Sequence, residues 1–141
     1  MAIGIYLTFD GNAREVVDFY SDVFNVEKND IMTYGDRSLN PNIEMVDDDK
    51  TLIMNTELEI NGTTIMFSDW TPSMTDTSFI IGNNISIVVD DHNKEYIIDL
   101  FEKLKEDGKV EMELTSTFWS ELFGSVTDKF GITWELNYNN Q

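Results

Sequence analysis

The sequence has 141 residues, of which 41% are hydrophobic, and a formal net charge of −18 at pH 7. This length fits one domain with a substantial core, while the charge excludes nucleic acid and anionic membrane surfaces as partners because both repel an acidic protein. The lack of cysteine excludes disulfides, thiolate zinc sites and a cysteine nucleophile.

The acidic composition has two interpretations. The simpler one is solubility, because carboxylates keep a protein dispersed. The sharper one is attraction for a cationic ligand. The first residues carry neither the basic segment nor the long apolar run of a signal peptide, and no apolar run approaches the ~20 residues that cross a bilayer. We therefore expect a cytoplasmic protein without a membrane segment.

The first half of the chain predicts a strand, a helix and three further strands. Asp10-Gly11-Asn12 interrupts an alternating run, and apolar residues then recur at helical spacing, with Asn12 as the expected N-cap. Asn61-Gly62 between two alternating runs predicts a hairpin. The predicted elements are a strand at 3–9, a helix at 13–24, a strand between 30 and 35, an exposed loop at 36–50, strands at 51–60 and 63–70, and a loop at 71–83.

The second half predicts the same order of elements. The only histidine, His92, lies in a break before the second helix, where we expect a helix cap or a surface side chain. The predicted elements are a strand at 84–89, an amphipathic helix that contains 96–104 and ends by Gly108, strands at 110–114, 118–127 and 132–138, and a hairpin turn at 128–131.

The two halves therefore form a repeat of strand, helix and three strands. Val17-Asp18-Phe19-Tyr20 corresponds to Ile98-Asp99-Leu100-Phe101 in the helices, and the hairpin strand from Gly62 corresponds to the strand from Gly131. Two matching elements in the same order are hard to attribute to chance. We predict one α+β domain of two modules, the first at about 1–71 and the second at about 83–141.

Several segments resemble the vicinal oxygen chelate superfamily, which includes glyoxalase I, bleomycin-resistance proteins and extradiol dioxygenases. Within it, the chain is similar to the PhnB-like branch, commonly labelled 3-demethylubiquinone methyltransferase-like, a label that does not establish an activity. The resemblance implies two βαβββ modules that form a cupped mixed β-sheet with the helices outside, and it implies a homodimer. The segments that carry it are 6–13, Phe19-Tyr20, Val23-Phe24, Phe118-Trp119, Phe123-Gly124 and 128–134.

In many relatives the cup holds a divalent metal, with ligands on the first, fourth, fifth and eighth strands. The resemblance assigns these positions to Ile5, Met66, Asn84 and Glu135. Ile5 cannot bind a metal, a thioether suits hard cations poorly, and an amide oxygen is a weak ligand. We therefore expect no cofactor, with a divalent metal left open if the register differs.

Strand alternation predicts which side chains face the cup. A carboxylate at Glu135 among apolar side chains suits a general base or a partner for a ligand's polar group. Trp119, beside Phe118 at the start of a rim strand, could stack on a flat ligand or bury a dimer contact. The side chains predicted to face the cup are Ile3, Ile5, Leu7 and Phe9; Thr64, Met66 and Ser68; Asn84, Ser86 and Val88; and Thr133, Glu135 and Asn137. The predicted ligand-binding set within these, with Trp119, is Ile5, Leu7, Met66, Ser68, Asn84, Ser86, Trp119 and Glu135.

Three functions are compatible with these residues. The leading interpretation is a PhnB-like protein that binds a small molecule in the cavity without a metal. The first alternative is an enzyme, either an isomerase or lyase that uses Glu135 as its base or a metal enzyme of the dioxygenase type. The second alternative is sequestration of a cationic antibiotic, as the resemblance to bleomycin-resistance proteins implies.

Overall fold

The computed structural model describes residues 2–36 and 44–140. The chain divides into two compact units, Met1–Ile80 and Ile81–Gln141, which we call module one and module two. None of the helices among the described residues is long and apolar enough to cross a membrane. Part of the loop predicted at 36–50 lies outside the described residues.

Module one is a four-stranded mixed sheet with one long helix. The sheet order is β1-β4-β3-β2, with β1 parallel to β4 and the other pairs antiparallel. A short 3₁₀ helix, Asp47–Asp49, precedes β3. The elements are β1 (Ile5–Phe9), α1 (Ala13–Phe24), β2 (Met32–Thr33), β3 (Ile53–Ile60) and β4 (Thr63–Asp69).

Helix α1 packs on β3 and β4 through an apolar stripe that its sequence spacing predicts. The ring of Tyr20 lies 5.9 Å from that of Phe67, which also stacks on Phe9 at 6.3 Å. Asn12 occupies the predicted N-cap position of α1, but its side chain makes no capping hydrogen bond. Instead the buried carboxylate of Asp69 accepts from the backbone N–H of Ala13 at 2.9 Å, so a strand end caps the helix.

Module two repeats this architecture. Its sheet order is β5-β8-β7-β6, with β5 parallel to β8 and the other pairs antiparallel. The helix packs on β5, β7 and β8, and Trp134, Leu136 and Val126 are fully buried. The elements are β5 (Ser86–Asp91), α2 (Lys94–Leu104), β6 (Lys109–Thr115), β7 (Leu122–Thr127) and β8 (Thr133–Tyr138).

Two predicted strands of module two begin later than expected. β5 starts at Ser86, and Asn84 lies in a bend before it. β7 starts at Leu122, so Phe118 and Trp119 belong to the β6–β7 loop and not to a strand.

The N-cap of α2 is Asn93, whose side chain accepts from the backbone N–H of Tyr96 at 3.2 Å. The four-stranded mixed sheets and their helices confirm the α+β class.

Candidate functional site

The face of the module-two sheet opposite α2 is mostly polar. Alternation along β8 sends Trp134 and Leu136 into the core and turns Thr133, Glu135 and Asn137 the other way. Directly paired residues share a face, so the same surface continues on β5 and β7. This surface, the distal face of module two, comprises Ser86, Val88, Asp90, Phe123, Ser125, Thr127, Thr133, Glu135 and Asn137.

Glu135 lies in the central strand of this face. Its cross-strand neighbours are Val88 on β5 and Ser125 on β7. Val88 is 55% exposed, and Glu135 is partly buried. The carboxylate therefore has an apolar side chain on one flank and a hydroxyl on the other, an environment in which a ligand N–H or O–H finds a strong acceptor.

Asn137 is the next residue of β8 on this face. Its Nδ2 donates to the carboxylate of Asp90 at 3.3 Å. Its Oδ1 is buried and, within the described part of the chain, has no hydrogen-bond partner. A buried acceptor without a partner is unfavourable, because it has lost water and gained nothing in return. The amide thus marks a polar position that a donor group would satisfy.

An aromatic cluster adjoins Asn137. Phe123 pairs with Asn137 across β7 and β8. The ring of Trp119 lies 5.5 Å from that of Phe123 and 4.7 Å from that of Phe118, both edge to face. Trp119 is 56% exposed, so much of its surface remains accessible to a flat ligand.

A cavity of about 340 Å³ lies beside this cluster. It is formed by residues 119–121 and 137–140, all of them in module two. Its volume falls in the range of small-molecule pockets. Asn137 belongs both to the cavity wall and to the distal face of module two. Glu135 is two residues before Asn137 on the same side of β8, a separation of roughly 7 Å along the strand.

Module one has a corresponding distal face with different chemistry. Tyr6 pairs with Met66, and Met66 pairs with Glu57 on β3. The Tyr6 hydroxyl donates to the Met54 carbonyl at 3.1 Å and accepts from Asn55 at 3.2 Å, so its side chain reaches across the sheet from β1 to β3. A tyrosine thus occupies the position beside Met66 and extends over the central strand.

The predicted orientation of β1 is wrong. Ile5 pairs with Ile65 and Leu7 pairs with Phe67, and both of these partners are buried on the α1 side. Phe9 shares that side and stacks on Phe67. Ile3 precedes the strand and is fully exposed. The apolar half of β1 therefore packs under the helix, and the face shared with Met66 and Ser68 carries Tyr6 and Thr8 instead.

The remaining predicted residues divide between the modules. Ser86 and Glu135 share the distal face of module two, whereas Met66 and Ser68 share that of module one. Asn84 lies outside β5, because the strand begins two residues later. Trp119 reaches the cavity from a loop.

The donor set does not fit a divalent metal. The structure places Tyr6 beside Met66 and Val88 beside Glu135, in place of the Ile5 and Asn84 assigned from the sequence. A thioether and a valine supply no hard oxygen ligand. Among residues 2–36 and 44–140, no three His, Asp or Glu side chains are grouped so as to hold a metal ion.

Sequence reasoning missed Tyr6, Glu57 and Asp90 as members of these faces. One signal could have found Tyr6. In β1 the apolar residues Leu7 and Phe9 alternate with Tyr6 and Thr8, and the more apolar half of a strand normally packs against the helix. Glu57 has no comparable signal, since its position depends on the register between β3 and β4.

Comparisons with known proteins agree with this architecture. The family described as 3-demethylubiquinone-9 3-methyltransferase matches residues 1–137. Protein YjdN of Escherichia coli K12 is 31% identical, and the alignment covers 100% of this chain and 97% of YjdN.

Solved structures show the same relationship. The chain is 31% identical to protein PA1353 of Pseudomonas aeruginosa, with a TM-score of 0.85 and coverage of 99% and 98% of the two chains. It is 26% identical to the PhnB protein of Bacillus cereus, with a TM-score of 0.76 and coverage of 99% and 100%. The fosfomycin resistance protein FosX of Listeria monocytogenes shares the fold. It is 14% identical to this chain, with a TM-score of 0.63 and coverage of 99% of this chain and 93% of FosX. The chain therefore belongs to the PhnB-like family described as 3-demethylubiquinone-9 3-methyltransferase.

Proposed function

We propose that this protein binds a small organic molecule at the distal face of module two, with Glu135 as the polar anchor and Trp119 as the stacking surface. The observation that carries the proposal is the cavity of about 340 Å³ whose wall includes both Trp119 and Asn137. Its lining is mostly polar, and its aromatic members are Trp119 and Tyr138. Binding precedes any chemistry that the family's description names, including methyl transfer, and needs no metal.

Two features of the face support Glu135 as the anchor. Its neighbours Val88 and Ser125 are small enough to leave the carboxylate open to a ligand group. Among residues 2–36 and 44–140, Glu135 makes no ion pair. Turnover with Glu135 as base and sequestration of a cationic drug both start from the same bound state, and both stay predictions.

The test is a small-molecule screen by thermal shift, followed by titration of tryptophan fluorescence. Ligand binding at the cavity should quench Trp119, so the signal should disappear in Trp119→Phe and persist in Trp70→Phe. Trp70 is the matched control because it belongs to module one, where its indole donates to the Thr77 carbonyl. Glu135→Gln should weaken binding at least tenfold, the loss expected for a charged hydrogen bond.

Hits that keep their affinity in both Glu135→Gln and Trp119→Phe would contradict the proposal. Separate turnover assays on confirmed ligands distinguish an enzyme from a sequestering protein. A catalytic role for Glu135 predicts that Glu135→Gln abolishes turnover even at saturating ligand.

We also propose that two copies of the chain associate, as the family resemblance implies. The supporting feature is Phe118, which is 97% exposed in the β6–β7 loop beside Trp119. The fully exposed ring of Phe118 is an apolar patch that water solvates poorly. Covering it with a second copy would remove that patch from solvent.

A further inference from the structure

The tip of the β3–β4 hairpin carries the only Asn-Gly dipeptide of the sequence, Asn61-Gly62. In such a dipeptide the backbone nitrogen of the glycine can attack Cγ of the asparagine, because no side chain on the glycine hinders the approach. The new N–C bond closes a five-membered succinimide ring, and the side-chain nitrogen leaves as ammonia. Water then opens either carbonyl of the ring, which gives aspartate or, when the chain continues through Cγ, isoaspartate. The net reaction consumes one water, releases one ammonia and replaces an amide by a carboxylate.

Both residues of this turn are accessible to water. Asn61 and Gly62 are exposed, and a Cβ built on Gly62 meets no atom of the described residues within 4 Å. The reaction needs no further group, since the dipeptide and water supply every reacting atom. The conformation of the backbone therefore decides whether Asn61 reacts.

The backbone of the turn holds the two reacting atoms apart. Asn61 has a φ of +51° and Gly62 a φ of +82°, and Ile60 pairs directly with Thr63. A two-residue hairpin with both φ values positive is a type I′ turn, whose first central residue has a ψ of about +30°. At this ψ the Gly62 nitrogen lies nearly anti to Cβ of Asn61 about the Cα–C bond, because Cα is tetrahedral and of L configuration. Ring closure needs the nitrogen and Cβ on the same side of that bond.

We propose that Asn61-Gly62 is a spontaneous modification site that the β3–β4 turn keeps unreactive, so that deamidation marks chains whose hairpin has opened. In an open hairpin the ψ torsion of Asn61 rotates freely, and the Gly62 nitrogen reaches Cγ. The rate of modification is then proportional to the fraction of open hairpin, as it is for hydrogen exchange. The site thus records local unfolding of module one as a covalent change.

The two products differ in their effect on the hairpin. Aspartate tolerates the left-handed conformation nearly as well as asparagine does, so it preserves the turn. Isoaspartate adds a methylene to the main chain, and a type I′ turn has no place for the extra backbone atom. The pairing of Ile60 with Thr63 is then lost, and the register of β3 against β4 changes with it. We therefore expect chains that carry isoaspartate to refold less completely.

The test measures deamidation of Asn61 by peptide mapping of the full chain at pH 8, in buffer and in guanidinium chloride. Mass spectrometry counts the modified fraction, and electron-transfer fragmentation separates isoaspartate from aspartate. We expect modification in buffer to be at least about tenfold slower than in the unfolded chain. Equal rates would overturn the proposal, because the turn would then offer no protection. An Asn61 that stays intact in guanidinium chloride would overturn it as well, since the dipeptide would then not be a modification site.

A matched pair of threonine variants locates the protection in the hairpin. The Thr64 hydroxyl donates to Glu59, its directly paired neighbour beside the turn. The Thr127 hydroxyl donates to Glu111 across β7 and β6 at 3.0 Å. Thr64→Ala should speed modification of Asn61 in buffer roughly two- to fivefold, the effect of losing one cross-strand pair, and should leave the rate in guanidinium chloride unchanged. Thr127→Ala removes the same kind of bond from module two and should alter neither rate. An unchanged rate for Thr64→Ala in buffer, or an equal acceleration by Thr127→Ala, would contradict opening of the hairpin as the controlling step.

Discussion

Val88 and Glu135 lie directly opposite each other in the parallel pairing of β5 and β8. An apolar side chain thus lies beside the carboxylate that the family resemblance assigns to a ligand position. In module one the corresponding pair is Tyr6 and Met66, and the carboxylate lies one strand further along, at Glu57. In each module one carboxylate lies among these directly paired residues: Glu57 on β3 in module one and Glu135 on β8 in module two.

The Val88–Glu135 pair predicts a response to added charge. Val88→Glu places a second carboxylate opposite Glu135, and like charges directly opposite each other destabilise a sheet by about 0.2–1 kcal/mol. Val88→Gln is the matched neutral control. We expect Val88→Glu to lower the free energy of unfolding in urea by roughly that amount relative to Val88→Gln, with the difference shrinking in 0.5 M salt. If Val88→Glu and Val88→Gln had equal stability in low salt, the side chains at positions 88 and 135 would have to point away from each other.

Tyr34 should govern part of the alkaline unfolding. Burial raises its pKa above the ordinary value of 10.0, assisted by Tyr6, Asp69 and Asp49, and its hydroxyl donates to the Asp69 carbonyl. A folded-state pKa above the unfolded value means that the folded protein keeps this proton longer. Stability is therefore complete below the unfolded pKa and is lost as pH rises through the folded one.

We expect Tyr34→Phe to reduce the fall in unfolding free energy above about pH 10, measured by urea titration at several pH values. Absorbance at 295 nm supplies the independent readout, because the variant should lack one phenolate transition above pH 10 that the wild type shows. An unchanged alkaline limb of the absorbance curve would contradict the assignment.

Asp128 should be the most sensitive carboxylate of the last hairpin. It is buried, and it accepts from the backbone N–H groups of Phe130 and Ile132 and from the indole Nε1 of Trp134 at 2.8 Å. Asp128→Asn replaces one accepting oxygen with an amide NH₂, which cannot accept the hydrogen bond and faces an N–H donor. We expect a loss of about 2–3 kcal/mol in unfolding free energy.

The control for this substitution is Asp99→Asn on the exposed surface of α2, where the carboxylate pairs with Lys103 at 3.2 Å. An exposed pair of this kind contributes about 0.5 kcal/mol or less. Similar losses for Asp128→Asn and Asp99→Asn would show that the hairpin network adds little stability.

Gly131 should tolerate alanine poorly for two separable reasons. Its φ of +90° is unfavourable for a residue with a Cβ, and that Cβ would lie 2.8 Å from Cγ2 of Ile81. Gly11 has a similar φ of +84° with no atom within 4 Å of the added Cβ, so Gly11→Ala reports the backbone effect alone. We expect a loss of about 1–2 kcal/mol for Gly11→Ala and a clearly larger one for Gly131→Ala.

The difference between the two glycines should vanish when Ile81 is truncated. In an Ile81→Ala background, Gly131→Ala should lose no more unfolding free energy than Gly11→Ala does. A difference that persists in this background would place the cause in the backbone of the turn.

Phe118 should control the association of two copies. Phe118→Ser removes the 97%-exposed ring of the β6–β7 loop and should shift the protein from dimer to monomer in light scattering coupled to size exclusion. Ile3→Ser is the matched control, since Ile3 is equally exposed but lies before β1. A wild-type protein that is monomeric at high micromolar concentration would refute self-association through this patch.

Local pattern was enough for most of the elements. The spacing of apolar residues gives α1 at Ala13–Phe24, and Asn61-Gly62 gives the β3–β4 hairpin, because 3.6-residue periodicity and turn geometry are encoded within a few residues. Helix capping by Asp69 escaped prediction because the cap comes from 56 residues away. The start of β7 at Leu122 was missed because the apolar residues before it belong to an exposed loop.

The sequence by itself determined the repeat, the α+β class and the presence of Glu135 on the face away from α2, because alternation around the buried Trp134 and Leu136 is local information. Only the tertiary structure decided which half of β1 accompanies Met66. A strand offers two faces, and the choice between Ile5 and Tyr6 depends on which one the helix covers. Packing under α1 took the apolar half, and that choice placed a tyrosine where a cup-facing isoleucine was expected.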